Sequence, residues 1–121
     1  MKKFILGTKD RMTQLFAEDG VVMPVTAINI PKNIITQVKT RESDGYEAIQ
    51  VAAGEQKEHR LPNSLKKHLN GAYRYVKEFR VNNASEYKVG DEILIDIFQE
   101  GDNIEITSIS KGKGFQGGVK R

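Results

Sequence analysis

The sequence predicts a mainly β protein, an antiparallel barrel or sandwich of short strands. Short runs rich in Val, Ile, Thr and Phe recur along the chain, and turn-forming pairs of Asp and Gly separate many of them. Apolar residues alternate most clearly at Ile93, Ile95 and Ile97, which is typical of a strand with one buried face. At 121 residues the chain is most simply one domain.

Eight segments carry the strand pattern. In chain order they are residues 4–6, 12–16, 21–30, 34–40, 46–52, 76–81, 92–98 and 103–109. Turn sequences that pair Gly with an acidic residue lie between several of them and suit positions with a positive φ angle. The pattern stops at Ser110, so we expect a barrel domain over residues 1–110 and a separate tail over residues 111–121.

One segment departs from the strand pattern. Leu65 and Leu69 lie four residues apart, which places them on one face of a helix. Asn63 or Ser64 is suited to cap that helix. The pattern predicts one short helix near 63–71, ended by the glycine at its last position.

The tail, residues 111–121, is basic and rich in glycine. It contains four cationic side chains, four glycines and Phe115, and no acidic residue. The preceding 110 residues hold fifteen basic and sixteen acidic groups. Lysine and arginine neutralise phosphates, and glycine lets the backbone approach them closely. The tail therefore favours a segment that binds a polyanion, with a solvated chain end as the alternative.

The sequence offers no catalytic or metal-binding constellation. It contains no cysteine, and His59 and His68 lie nine residues apart without a companion ligand. No serine stands in a nucleophile-elbow sequence. The run that begins at Lys111 lacks the Gly-Lys-Ser/Thr of a phosphate-binding loop. We expect a protein that is not an enzyme and needs no cofactor or metal.

A second group of cations surrounds the predicted helix. It contains Lys57, Arg60, Lys66, Lys67, Arg74, Lys77 and Arg80. Contact with RNA and a salt-bridged solvated face are both open interpretations of this group.

The apolar runs are too short for a membrane protein or a secretory signal. The longest near the start is Phe4, Ile5 and Leu6, against the roughly eighteen residues that a membrane span requires. We expect a cytoplasmic protein that does not bind a membrane.

Several motifs in order resemble the universal large-subunit ribosomal protein L-three family, along nearly the whole chain. The first is residues 7–16 (GTKDRMTQLF), similar to the family's opening Gly-x-Lys-x-Gly-Met-Thr segment. The others, in chain order, are residues 18–20, 24–26, 36–40, 44–51, 78–80, 89–91 and, most specifically, 110–121 (SKGKGFQGGVKR).

This resemblance implies a six-stranded antiparallel barrel of the kind shared with translation factors. It also implies a structural role in the ribosome: binding of large-subunit ribosomal RNA, contact with neighbouring ribosomal proteins, and support of subunit assembly. In the family the tail leads into an extension that approaches the peptidyl transferase centre. The residues implied in RNA binding are Lys9, Arg11, Lys111, Lys113, Phe115, Lys120 and Arg121.

The chain departs from the family pattern in two places. Arg11 stands where the family usually has glycine, and the chain stops at Arg121, before the extension and the strands that complete the barrel. We therefore expect a barrel that is incomplete on its C-terminal side. A second chain could supply the missing part, or the exposed sheet edge could cause self-association.

Two other classes of function stay open at this point. One is a small β-barrel module for protein–protein interaction, with a disordered basic tail. The other is an enzyme on a flavin-reductase-like barrel, for which the sequence offers no convergent acid, base or ligand set.

Overall fold

A computed structural model describes residues 3–120, which form six β-strands and a few short helical segments. The strands are β1 (Thr8–Phe16), β2 (Val22–Asn29), β3 (Asn33–Lys39), β4 (Ala48–Glu55), β5 (Tyr73–Arg80) and β6 (Glu92–Ile93). The helices are α1 (Arg41–Asp44) and α2 (Asn63–Leu69), and single 3-10 turns lie at Glu58–Arg60, Ala84–Glu86 and Ile95–Ile97.

The strands make two antiparallel sheets. Strands β1 and β2 pair as a two-stranded sheet, and the other four pair in the order β5-β4-β3-β6. The predicted mainly β class and the antiparallel pairing are thereby confirmed. A closed barrel is not found within residues 3–120.

The core lies on one face of the four-stranded sheet. Ile35 is opposite Val51, and Ile49 is opposite Phe79, so alternate residues of three strands point to the same side. Phe4 comes from outside the sheet and stacks on Phe79 with 4.6 Å between the ring centroids. Burial of these side chains is the main contribution to the stability of the sheet.

One buried polar side chain holds the start of the chain against this sheet. Asn33 is fully buried, and its Oδ1 accepts the Leu6 N–H at 2.9 Å. Its Nδ2 donates to the carbonyls of Leu6 at 3.1 Å and Pro31 at 2.8 Å. The strand predicted at 4–6 was wrong, because a side chain rather than a neighbouring strand satisfies this backbone.

The predicted helix forms as α2, with caps different from those expected. Pro62 occupies the N-cap position without a side-chain hydrogen bond, and Asn63 is already helical. The helix ends at Asn70, whose left-handed backbone (φ 53°) terminates it one residue before Gly71. Asparagine tolerates this conformation better than most residues with a side chain. Leu69, the inward residue of the helix, is buried.

The helix α1 ends at one of the turn sequences that pair an acidic residue with glycine, Asp44-Gly45. The Thr40 side chain accepts the Ser43 N–H, and the Ser43 hydroxyl in turn caps the Thr40 N–H, which starts α1. Gly45 ends α1 with a φ of 81°, a left-handed conformation that glycine adopts without strain.

The last two predicted strands are the main error. Of residues 92–98, Glu92 and Ile93 pair with β3, and a 3-10 turn follows. Residues 103–109 form no strand in the structure, and Ile104 and Ile106 remain 59% and 63% exposed. A period-two pattern shows that one face of a segment could pack on a core. The segment becomes a strand only if its backbone pairs with that of another strand.

Candidate nucleic-acid interface

Two kinds of site are absent from residues 3–120: a helix suited to cross a bilayer and a cluster of metal-binding side chains. No helix in residues 3–120 is long and apolar enough to cross a bilayer. Within the same residues, no three His, Cys, Asp or Glu side chains are grouped so that they could hold a metal ion. The cations of the chain define the candidate site.

The tail forms no helix or strand over the residues described, and most of its side chains are exposed. Lys111, Lys113 and Lys120 are exposed, and Phe115 is 92% exposed. None of these three lysines forms an ion pair with any residue in the 3–120 range. Arg121, the fourth predicted cation of the tail, lies outside the described residues.

Two local contacts shape the tail. The Gln116 side chain donates to the Lys113 carbonyl at 2.7 Å, and the Lys120 N–H donates to the Gly117 carbonyl at 3.0 Å. Gly114 has a φ of +73°, a conformation that disfavours a residue with a Cβ. The glycines of the tail therefore permit a bent backbone that keeps its lysines in solvent.

Lys9 and Arg11 lie on β1 and are separated by a β-bulge. Lys9 is opposite Ile28 and Arg11 is opposite Ala27, so Asp10 is the extra residue. Because Ile28 and Ala27 are adjacent, they point to opposite faces of the hairpin, and so do their cross-strand partners. Two cations that a regular strand would place on one face are thus divided between two faces.

The hairpin of β1 and β2 carries these cations on an exposed ribbon. Neither strand makes an extensive contact with any other helix or strand of the described chain. Large apolar side chains stay in solvent on it, including Met12 and Phe16, which are 64% and 69% exposed. Apolar surface of this kind is typical of an interaction site.

A second polar cluster joins β3, the loop before β4, and β5. The Lys39 ammonium donates to Glu78 at 2.8 Å and to the Tyr46 hydroxyl at 3.1 Å. The Arg80 guanidinium lies over the Tyr46 ring, 4.3 Å from its centroid. The hydrogen bond with Glu78, with a smaller contribution from Tyr46, raises the pKa of Lys39 above its ordinary value. The same hydrogen bond lowers the pKa of Glu78.

The cations around α2 form what we call the basic segment, residues 56–77. It holds six lysines and arginines against one glutamate, Glu58. The six are Lys57, Arg60, Lys66, Lys67, Arg74 and Lys77. All are exposed except Lys66, which is half-buried. None of the six makes an ion pair with another residue of the described chain.

An acidic segment follows at the other side of the same sheet. Residues 91–105 contain six aspartates and glutamates and no lysine or arginine. They begin at β6, which is one edge of the four-stranded sheet, whereas the basic segment ends in β5, which is the other edge. The near-neutral total charge of residues 1–110 conceals this separation. Its signal in the sequence was the cluster of cations around α2 together with the run of acidic residues at 91–105.

Comparison with known proteins gives the class and then the family. No protein-family model matches the chain. Curated relatives named large ribosomal subunit protein uL3 are 47% identical over 125 residues in Syntrophus aciditrophicus, 50% over 125 residues in Carboxydothermus hydrogenoformans and 45% over 141 residues in Agathobacter rectalis. These matches include the whole of this chain and 57%, 60% and 62% of the respective relatives.

The relatives share one class, the ribosomal proteins of the large subunit. Within that class, the chain belongs to the uL3 family. It spans about three fifths of the length of the curated relatives that it matches. The family indicated by the sequence motifs is thereby confirmed.

Proposed function

We propose that the chain is a structural constituent of the large ribosomal subunit, in the cytoplasm, and not an enzyme. In this proposal it binds large-subunit ribosomal RNA and supports subunit assembly near the peptidyl transferase centre. The observation that carries the proposal is the identity of 45–50% between the whole chain and proteins named uL3. The similarity to proteins named uL3 does not favour the alternative of a small protein–protein interaction module with a disordered basic tail.

The tail supplies the main phosphate contacts in this proposal. Lys111, Lys113, Lys120 and Arg121 neutralise phosphates, and Phe115 packs where the tail leaves the folded domain. Lys111, Lys113 and Lys120 are exposed, and none of them forms an ion pair with another residue of the 3–120 range. These observations support the role, because no acidic side chain among those residues has to be displaced before RNA binds. Such contacts are largely independent of sequence and sensitive to salt.

Lys9 and Arg11 supply further contacts from the hairpin. Since the bulge at Asp10 turns the two side chains to opposite faces, they cannot grip one phosphate together. In this proposal each contacts a different RNA strand or segment, with the exposed ribbon between them.

Binding to large-subunit ribosomal RNA over a salt series tests the proposal. A filter-binding assay with the full chain should show an affinity that falls steeply with salt. Removal of residues 111–121, which hold four cations, should lower the slope of log K against log salt by roughly 3, at about 0.7–0.9 per phosphate contact. An affinity that is absent, or that does not respond to salt, would refute the proposal.

The matched control for this deletion keeps the tail and removes charge elsewhere. Lys32, Arg41 and Lys88 are exposed. A single triple variant, called the control variant, changes all three of them to Gln. Its slope should stay within about 1 of the unaltered chain, because these side chains are placed in no contact. An equal loss in the control variant would mean that net charge alone explains binding.

Neighbouring ribosomal proteins, and either a chain that supplies further strands or a second copy, are the protein partners in this proposal. The unpaired edge of β5 and the exposed apolar side chains of the hairpin support an interaction of this kind. Sedimentation over a concentration series should show self-association of the isolated chain. A monomer at every concentration would leave only a different chain as the partner.

A further inference from the structure

We infer that the basic segment, residues 56–77, is a second RNA-binding surface on the folded domain, separate from the tail and directed at the phosphate backbone. This inference rests on the proposed function, since it names a further part of the chain that contacts RNA. Its support comes from charge pairing, from the distribution of charge across the sheet and from the side chains at its surface.

The first step is that ion pairing within the described chain does not account for these cations. The acidic side chain nearest to them in β5 is Glu78, and it is bound to Lys39 at 2.8 Å. Glu58, the acid inside the segment, is within ion-pair distance of no cation among residues 3–120. A salt-bridged face, one of the two interpretations open from the sequence, is therefore not what the structure has.

The second step is the separation of charge across the four-stranded sheet. The basic segment runs into β5, which is one edge strand of the sheet. The acidic segment, residues 91–105, includes β6, which is the other edge strand. A polyanion is repelled by the second edge and attracted by the first, so the field of the domain orients it toward the basic segment.

The third step is the kind of partner that these side chains fit. Lysine is depleted in the centres of protein–protein interfaces but is a common ligand of phosphate. The Arg74 guanidinium lies 5.3 Å from the centroid of the Tyr75 ring, and that ring is 39% exposed. An exposed aromatic ring beside a guanidinium can stack on a base while the cation contacts a phosphate. This combination favours RNA over an acidic protein.

A rival explanation is that the cations only protect the β5 edge. Charged side chains on an edge strand hinder its pairing with another chain. That explanation accounts for Arg74 and Lys77, which lie on β5, but not for Lys66 and Lys67, which lie on α2. It also makes a different prediction, because loss of the cations should then cause self-association without a loss of RNA affinity.

The test compares two triple variants of the full chain that remove the same charge. One, the basic-segment variant, carries Lys66→Gln, Lys67→Gln and Arg74→Gln. The other is the control variant at residues 32, 41 and 88. Both bind a duplex RNA of about 16 base pairs over a salt series, with polyglutamate as a competitor in a second series. Circular dichroism and sedimentation verify that each variant is folded and monitor association.

The expected result is specific to the basic segment. Loss of three phosphate contacts should lower the slope of log K against log salt by roughly 2–3 and the affinity at 0.1 M salt by about tenfold or more. The control variant should lose no more than about twofold in affinity. Polyglutamate should compete weakly with the RNA.

Three results would overturn the inference. The basic-segment variant could bind RNA with the same affinity as the control variant, or it could self-associate while its RNA affinity stays unchanged. The third result is that the unaltered chain binds polyglutamate as tightly as it binds RNA. In each of these cases the proposed function would still stand if the full chain binds RNA in a salt-dependent way and loses that binding when residues 111–121 are deleted. If the unaltered chain binds no RNA, the proposed function fails first and the inference fails with it.

Discussion

Replacement of Asn33 tests the contact that holds the start of the chain to the sheet. Its side chain makes three hydrogen bonds, at 2.9 Å to the Leu6 N–H, 3.1 Å to the Leu6 carbonyl and 2.8 Å to the Pro31 carbonyl. The same segment carries Phe4 onto Phe79 and leads into β1. The substitution Asn33→Ala therefore disturbs a link between the core and the hairpin that bears Lys9 and Arg11.

The size of the effect follows from the number of bonds. Each hydrogen bond contributes about 1 kcal/mol net, and a buried group left without a partner costs about 1–3 kcal/mol. Leu6 and Pro31 are half-buried, so water can reach some of the backbone groups that lose their hydrogen-bond partner in Asn33→Ala. We expect the free energy of unfolding to fall by about 2–4 kcal/mol.

A second substitution at the same place adds a dependence on pH. Asn33→Asp keeps an acceptor for the Leu6 N–H but replaces two donated bonds with a carboxylate that faces two carbonyl oxygens. Burial and those carbonyls should raise the pKa of the new carboxyl above about 3.9, its value in an unfolded chain. Because the folded-state pKa is the higher one, stability is retained below the unfolded value and lost as pH rises through the folded value.

Urea denaturation followed by circular dichroism measures both variants against the parent, at about pH 4 and pH 7. Asn33→Asp should be less destabilised at the lower pH, whereas Asn33→Ala should lose the same amount at both. A double-mutant cycle with Phe4→Ala should give a coupling energy of about 0.5–2 kcal/mol, because the two side chains hold one segment. A loss below about 0.5 kcal/mol for Asn33→Ala, or an Asp variant without a dependence on pH, would refute this account.

Two further predictions concern the polar cluster of Lys39, Tyr46, Glu78 and Arg80 and the backbone of β4. Glu78→Gln removes the ion-pair partner of Lys39. Because the pKa of Glu78 is lowered from 4.5 in the folded state, the contribution of this pair to stability is present above pH 4.5 and is lost as pH falls. The urea midpoint of the variant should therefore fall less steeply than that of the parent below about pH 4.5, and parallel curves would contradict the pairing. Gly54→Ala places a Cβ 3.2 Å from the Tyr75 ring at a φ of +79° and should cost about 1–3 kcal/mol. Gly20→Ala, with φ +84° but open space around it, is its control in the same denaturation assay and should cost only about 1 kcal/mol.

Much of the β structure was predictable because its signals are local. The short runs rich in strand-forming residues at 12–16 and 34–40 predicted β1 and β3, which the structure contains at Thr8–Phe16 and Asn33–Lys39. The pair Leu65 and Leu69 predicted α2. The division into a domain over residues 1–110 and a tail stays a prediction.

The errors share one physical cause, which is that a strand needs a partner. Residues 103–109 contain isoleucines at alternate positions 104 and 106, yet they pair with no strand among residues 3–120 and these side chains stay exposed. Phe4 is part of the core without being in a strand, because Asn33 satisfies the backbone beside it. Neither outcome can be read from the period of the hydrophobic pattern.

The candidate site was predictable in its charges but not in its geometry. The cations of the tail and their exposure follow from composition, and Lys111 and Lys113 are exposed as a basic, glycine-rich tail should be. Spacing alone would place Lys9 and Arg11 on one face, and the bulge at Asp10 divides them. Ion pairs depend on side chains distant in the sequence, so the choice between a salt-bridged face and a free one needed the structure.

The sequence by itself determined the mainly β class, the short helix, the basic tail and the family, because propensity, turn chemistry and motif order are properties of neighbouring residues. The tertiary structure decided which predicted strands find an edge, how Asn33 joins Leu6 to the sheet, and which cations keep no partner among residues 3–120. These outcomes depend on contacts between residues far apart in the chain, such as Lys39 with Glu78. Local patterns carry no information about which distant groups will meet.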